Sequence, residues 1–543
     1  MNRAKNLERL QNEEFDICII GGGASGAGCA LDAALRGFKV ALIEKEDFAA
    51  ETSSKSTKLI HGGVRYLEQA FKNLDFGQLR QVKHGLEDRH TVIRNAPHLA
   101  HPLALITPVF SWFEGFYFTI GLKIYGFFAK NDSLPKAQWL NKKETFEHIP
   151  TLTPKLHSSV MYYDGQLDDA RYCLALAHSA NKAGTVVVNH ASIKDFEKNS
   201  NGKLIAATFT DNLSLKICKI KAKIFINCTG PFGDSIRLLA NTSLEKRLRP
   251  SKGVHIMLPP EVLQSQDAML IPKTKDGRVV FVIPFEGEVM VGTTDDEYRD
   301  LEKEPILINQ EIEFLIDTLR PYIAKTPDKS QIKSGFGGLR PLIASSGSKA
   351  TKKLVRDHEV EYDEISNLVS LLGGKWTTYR LMAKDTIDEV CKLLDKNIEC
   401  STEQHYLVGG ENYNFEAWKT IQEKYNLDED IAQHLSKKYG TKAEEILQNV
   451  SNQALKERIH PKYPFIKAEV IYTIQQEMAC SLRDFFARRT RMELMDWTAT
   501  LDSLEVVADL MANELNWSDA QKQENIVAYR NLVKGFMASA NVG

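Results

Sequence analysis

Three stretches of the chain concentrate residues able to hold a phosphorylated redox ligand. Gly21, Gly23 and Gly26 form a G-x-G-x-x-G run. Missing Cβ atoms there let the backbone of Ala24 and Ser25 approach a pyrophosphate at the positive end of a helix. Glu44, with Lys45 beside it, lies about twenty residues on, where an acid accepts hydrogen bonds from a ribose and no Arg marks a 2′-phosphate. A second concentration of hydroxyls and glycines, Thr52-Ser53-Ser54-Lys55-Ser56-Thr57-Lys58-Leu59-Ile60-His61-Gly62-Gly63, exceeds what a nicotinamide dinucleotide needs. It suits the longer FAD, whose ribityl chain and ring require further small residues and N–H donors; the alternative is a polar surface loop with two helix caps. The third stretch, Gly373-Gly374-Lys375-Trp376-Thr377-Thr378-Tyr379-Arg380, repeats the strand, Gly turn, helix logic. A helix start there, with Lys375, would stabilise negative charge developing at flavin N1 and O2; otherwise Lys375 simply meets solvent.

The elements that position these residues follow from hydrophobic periodicity. Phe15 to Gly21 and Lys39 to Ile43 are apolar runs flanking small, helically spaced residues from Ala24 to Arg36, which makes a βαβ unit and a parallel sheet. Thr185–Asn189, Ala222–Asn227 and Leu368–Leu372 are expected as further strands, the second leading into Thr229 and Gly230. Lys252–Leu258, Arg278–Pro284 and Glu288–Gly292 lie between Pro and Gly turns as in an antiparallel sheet. From about Ser401 glycines thin out and helical patterns dominate, as at Asn414–Tyr425, Asp428–Leu435 and Asp502–Leu515. The expected fold class is α/β. A Rossmann-like FAD-binding domain (1–95, 165–247 and 336–400) is interleaved with an antiparallel-sheet substrate domain (96–164 and 248–335), followed by an all-helical C-terminal domain (401–543).

The 543 residues are enough for several domain-sized units, and 43% apolar with 26% charged residues exclude wholesale disorder and a multi-span membrane protein. Sixty-nine Lys and Arg against 71 Asp and Glu give a net charge of −2, so no global attraction to nucleic acid is expected. The eight cysteines are scattered without C-x-x-C pairs, which points to a reducing compartment and no metal site. No D-x-[DN]-x-[DN]-G calcium loop occurs. Met1–Glu14 lacks the apolar stretch of a secretory signal, and folding is expected to begin at Phe15. Val109–Ala129 carries nine aromatic residues in twenty-one positions, but Glu114 and Lys123 disfavour a bilayer-spanning helix. A monotopic contact through Trp112, Phe113, Phe116, Tyr117 and Phe118 is one reading and an aromatic core helix the other. Arg483, Arg488, Arg489 and Arg491 are expected either to touch anionic headgroups or to lie in solvent or at a domain interface.

The chain resembles the FAD-dependent glycerol-3-phosphate dehydrogenases. The resemblance rests on GGGASGAG at 21–28, TSSKSTKLIHGGVRYLE at 52–68, INCTGP at 226–231, SKGVHIMLP at 251–259, FVIPFEGEVMVGTTDDEY at 281–298, GGLRPL at 337–342 and GGKWTTYR at 373–380, with ARRTR at 487–491 in the helical extension. It implies FAD as cofactor and oxidation of sn-glycerol 3-phosphate at C2 to dihydroxyacetone phosphate, with hydride to flavin N5. Arg65 and Arg340 are then the leading phosphate clamp, Lys252 and Lys375 point charges, and His61 or His255 the group receiving the hydroxyl proton. Tyr66 would orient the substrate oxygen and Gly338 border the flavin; Thr293, Thr294 and Asp295 would edge the site without a catalytic role. The resemblance further implies electrons passed to membrane quinone by a peripheral protein on the cytoplasmic face of the inner membrane, with room for a homodimer. The competing readings are an oxidase making hydrogen peroxide from the same substrate, and a noncatalytic flavin-containing interaction protein.

Overall fold

The computed structural model describes residues 1–63, 76–128, 134–272, 274, 277–344, 358–448 and 452–542. Two sheets carry the site. In the first, Leu368–Gly373, Ile217–Asn227, Glu14–Ile20, Val40–Ile43 and Val186–Val188 run parallel in that spatial order, with His358–Asp363 antiparallel at one edge. The central strands are buried on both faces, because the helices Ala24–Leu35, Asp169–Lys182 and Tyr379–Leu393 share one apolar cluster with them. All three further parallel strands expected are present, starting at Val186 rather than Thr185, at Ile217 rather than Ala222, and at Leu368 as expected. Folding, however, does not begin at Phe15: Arg3–Asn12 is a helix capped by the Asn2 side chain, with Leu10 fully buried against the sheet's other face.

The second sheet has ten strands, and its path runs Asp296–Glu297, Ser251–Leu258, Glu288–Gly292, Val280–Phe285, Ala268–Ile271, Ala100–Val109, Ser158–Leu167, Leu59–Ile60. It is antiparallel as expected except where Ala268–Ile271 runs parallel to Ala100–Val109. Ser334–Arg340 pairs along Ser251–Leu258 in this sheet, and so does Leu59–Ile60 with Ser158–Leu167. The loop from 52 to 61 thus passes from one sheet to the other.

The helices after residue 400 do not form a separate ball. Phe485, Phe486, Met492 and Trp497 share one core with Val254, Ile256 and Val291 of the second sheet. Of the three places expected for the four arginines, headgroups, solvent or a domain interface, they take the last, and Arg488, Arg489 and Arg491 are buried. Arg488 and Arg489 both pair with Asp47 at 2.6 Å, and Arg483 pairs with Glu304 at 2.7 Å. Arg491 reaches Asp169 at 2.9 Å and the Ser54 carbonyl at 2.6 Å. These charges are withdrawn from any lipid because each has a buried or half-buried carboxylate to satisfy. Asp169 is the junction: its other oxygen accepts from the Ser56 N–H (3.0 Å), the Ser56 hydroxyl (2.7 Å) and Lys58 Nζ (2.7 Å). Removing one member of such a buried cluster leaves uncompensated charge, at a cost of about 3–5 kcal/mol. Asp169→Asn is therefore expected to lower the unfolding free energy by about that amount in denaturant titration and to release FAD on dilution. A variant as stable as the parent would mean that water already compensates Lys58 and Arg491.

Candidate functional site

A cavity of about 590 Å³, within the range of cofactor pockets, runs from the end of the parallel sheet to the inner face of the second. Its first end is built by the glycine turn. A Cβ on Gly26 would stand 1.8 Å from the Gly21 carbonyl oxygen, so only glycine lets the helix Ala24–Leu35 start this close to the strand. Glu44 is buried there, its carboxylate accepting from the Gly22 N–H at 2.6 Å and the Glu46 N–H at 2.9 Å; burial pushes its pKa up. The two amides orient it toward the cavity that it lines with Gly21, Gly23, Ala24, Ser25 and Lys45.

The loop from 52 to 61 holds the other two glycine-rich stretches and the strand Ser334–Arg340 in register. Ser53 Oγ accepts from the Ala24 N–H at 2.9 Å, and the Ser53 carbonyl accepts from the Trp376 indole at 3.0 Å. The Thr52 hydroxyl donates to the Leu339 carbonyl at 2.7 Å, and the His61 N–H donates to Thr377 Oγ1 at 3.3 Å. Thr52, Ser53, Ser56, Thr57, His61, Thr229, Gly230, Gly338, Gly374, Lys375 and Thr377 all line the cavity. Four of the sequence-derived cofactor residues do not. Lys58 is fully buried beneath the loop, bonded to Asp169 and to the Ser54 and Ser56 carbonyls; burial lowers its pKa to about 8 despite Asp169. Gly26 lies behind the turn, Gly62 packs on Leu86, and Thr378 turns its hydroxyl back to the Lys375 carbonyl at 3.4 Å. Their spacing marks motifs whose members divide between lining and support.

The second end carries the reactive side chains. His255 and Gly253 alternate toward the cavity while Val254 and Ile256 enter the core, as the two-residue period of a strand dictates. The same alternation removes Lys252 from the site: it faces away and pairs with Glu311 at 2.9 Å. His255 stacks on Phe336 with centroids 4.8 Å apart, and its Nε2 meets the Thr57 hydroxyl at 3.0 Å. Its buried Nδ1 has no hydrogen-bond partner among the described residues. Burial first, then the positive charges of Lys58 and Arg340, hold its pKa well below the usual imidazole value, so the ring is neutral. Arg340 donates to the Thr294 carbonyl at 3.0 Å and Thr293 Oγ1 at 3.2 Å, and pairs with Asp295 at 3.4 Å. His61 packs at 6.0 Å on Phe281. The structure therefore brings His61, His255, Arg340 and Lys375 to one cavity; Arg65 and Tyr66 lie outside the described residues. Sequence reasoning missed Gly253, over which the Arg340 guanidinium passes: a Cβ there would lie 2.5 Å from Nη2. It also missed Trp376 as a strut and Asp169 as an anchor; a buried acid at a helix start looks in sequence like an ordinary cap.

A cavity with a glycine cradle and a buried acid at one end, and hydroxyls and cations along its length, suits a dinucleotide such as FAD. Residues 16–389 match the family model described as FAD dependent oxidoreductase, and 400–522 match the C-terminal domain of alpha-glycerophosphate oxidase. A probable mitochondrial glycerol-3-phosphate dehydrogenase of Dictyostelium discoideum is 39% identical over 551 residues, covering 98% of this chain and 86% of the relative. The mitochondrial glycerol-3-phosphate dehydrogenase of Rattus norvegicus is 38% identical over 540 residues, 97% and 74% of the two chains. The solved glycerol-3-phosphate dehydrogenase of Bacillus halodurans, complexed with FAD, superposes with a TM-score of 0.79 at 27% identity, covering 98% of this chain and 97% of that one. The chain belongs to the FAD-dependent glycerol-3-phosphate dehydrogenase family, and FAD is its cofactor.

Gly253→Ala provides a test of the second end of the site that leaves the cofactor end untouched. The added methyl must displace the Arg340 guanidinium, so bound FAD is expected to stay at parent occupancy while KM for a phosphorylated substrate rises about tenfold or more, the worth of one charged hydrogen bond. An unchanged KM would show that Arg340 is not the phosphate ligand.

Proposed function

We propose that this enzyme oxidises sn-glycerol 3-phosphate at C2 to dihydroxyacetone phosphate and passes the electrons to a quinone in a membrane on which it sits peripherally. The observation that carries the reading is the pairing of a neutral, half-bonded imidazole with a fixed guanidinium in the same cavity. Arg340, anchored on the Thr294 carbonyl and Asp295, presents a planar fork suited to a phosphate dianion. With the ester held there, its carbinol lies within the stretch bounded by His255, His61 and Lys375. FAD, when bound, supplies the two-electron acceptor for the C2 hydrogen. The neutral His255, whose Nε2 meets the Thr57 hydroxyl at the cavity wall, accepts the hydroxyl proton. Lys375 and the helix start behind it set positive potential where negative charge collects.

The acceptor reading rests on the surface. Trp112–Phe128 is a helix whose Trp112, Phe113, Phe116, Tyr117 and Phe127 are each more than half exposed. Among the described residues no helix is long and apolar enough to cross a membrane. Rings of this kind, several of them amphipathic, suit the headgroup level of one leaflet, where a lipid-dissolved quinone is reachable.

Anaerobic titration with glycerol 3-phosphate is expected to bleach the flavin absorbance stoichiometrically, with colour restored by a short-chain quinone much faster than by oxygen. A flavin that stays yellow would eliminate the reaction, and faster recovery with oxygen would make the protein an oxidase. Arg340→Ala is expected to raise KM about 10- to 100-fold with FAD retained. The pH profile tests His255: because its pKa is depressed, the neutral, proton-accepting form persists as pH falls through about 6.5. The acid limb of kcat/KM should therefore lie below that value, and a limb at or above it would remove His255 as the base.

A further inference from the structure

The Tyr125 hydroxyl ties the aromatic helix to the peptide next to cavity-lining His61. The outer face of this helix shows Phe113 and Phe127 to solvent at 78% and 75% exposure, while Leu122 and Tyr125 on the inner face are buried. Tyr125 Oη accepts the Gly62 N–H at 2.7 Å and donates to Asp164 at 3.0 Å. Asp164 is in turn held by Arg89, from the helix Phe76–Asn95. Gly62 directly follows His61, whose own N–H is tied to Thr377 in the short helix Trp376–Thr378 at the cavity wall. Leu86 and the Val82 carbonyl pack closely on Gly62, where a Cβ would stand 2.9 Å from each. Neither Tyr125 nor Asp164 nor Arg89 lines the cavity. A tyrosine is well suited to this place because one hydroxyl both accepts an amide and donates to a carboxylate; burial, with the Asp164 carboxylate, keeps it protonated.

We propose that Tyr125 is a positioning residue that couples lipid contact on the outer face of the aromatic helix to the placement of His61 beside the flavin. This rests on the membrane-docking reading given above. Insertion of the outer rings into a leaflet shifts the helix against the second sheet. The Tyr125 hydroxyl carries that shift into the Gly62 peptide, while Thr377 fixes the other side of His61. The enzyme is thereby set for reaction where its quinone is, and the response is lost when the hydroxyl is removed although the aromatic face remains.

The test uses FAD-loaded enzyme, the parent and Tyr125→Phe, with and without vesicles of phosphatidylethanolamine and phosphatidylglycerol. Three quantities are read: flotation with the vesicles, the visible circular dichroism of the flavin, and kcat with a short-chain quinone. Both proteins are expected to float. The parent is expected to change its flavin dichroism and to alter kcat at least threefold on vesicle addition, whereas Tyr125→Phe gives the same spectrum and a kcat ratio near one in both conditions. A variant that responds like the parent overturns the coupling, as does a parent that floats without a spectral or kinetic response. A parent that does not float sinks the docking reading, and the coupling with it. Hydrogen exchange of the parent peptide spanning 59–63 gives a measurement that needs no variant: its rate is expected to change about tenfold or more on vesicle binding, and an unchanged rate overturns the proposal.

Discussion

The site depends on a buried carboxylate, Asp169, more than on any residue that lines it. Lys58 and Asp169 are both fully buried and 2.7 Å apart, and Arg491 closes the triad from the C-terminal helices. An ion cluster of this kind is costly to desolvate and adds little net stability over an apolar filling. Its yield is conformational: Ser56 and Ser54 are held by the same charges, so the loop from 52 to 61 has a single seat. From that seat Ser53 reaches the glycine turn, Thr52 the second sheet, Thr57 the imidazole and His61 the third glycine stretch. An electrostatic anchor under a polar loop does what apolar packing cannot, because the loop's upper surface must stay hydrophilic to meet FAD.

How much of this was legible in sequence depended on the range of the physics involved. The βαβ unit, the glycine turn and Glu44 are local: short apolar runs, a helical repeat and a missing Cβ are visible within thirty residues. The two sheets were legible as strand types, but Ser334–Arg340 joins the second sheet through pairing with a strand some eighty residues earlier. Its residues gave no local sign of that partner. Side-chain direction was the commonest failure. Lys252 and Lys58 are cations in the right motifs that turn away, one by strand alternation and one because Asp169 demands a counter-charge. The arginines at 483–491 were ambiguous for the same reason, since a sequence shows four positive charges but not the carboxylates of Asp47, Glu304 and Asp169 that bury them.

The division of labour between the sheets follows from their chemistry. The parallel sheet offers strand ends and helix starts, which are suited to phosphates and a ribose, and has no side chains to spare because both faces are packed. The second sheet has one face in a core shared with the C-terminal helices and most of the other in a further apolar cluster, with the stretch around Gly253 and His255 turned to the cavity. His255 and Gly253 occupy consecutive cavity-facing positions, and the smallness of one makes space for the guanidinium that polarises the other.

Arg491 also fixes the order in which the protein can be made. The glycine turn and the loop from 52 to 61 are translated more than four hundred residues before the guanidinium that completes their support. A nascent chain still lacking that segment carries Asp169 and Lys58 without their third charge. The seating of this loop is thus completed late in biosynthesis, and a polypeptide cut short before Arg491 carries the glycine turn and the loop without the charge that finishes their support.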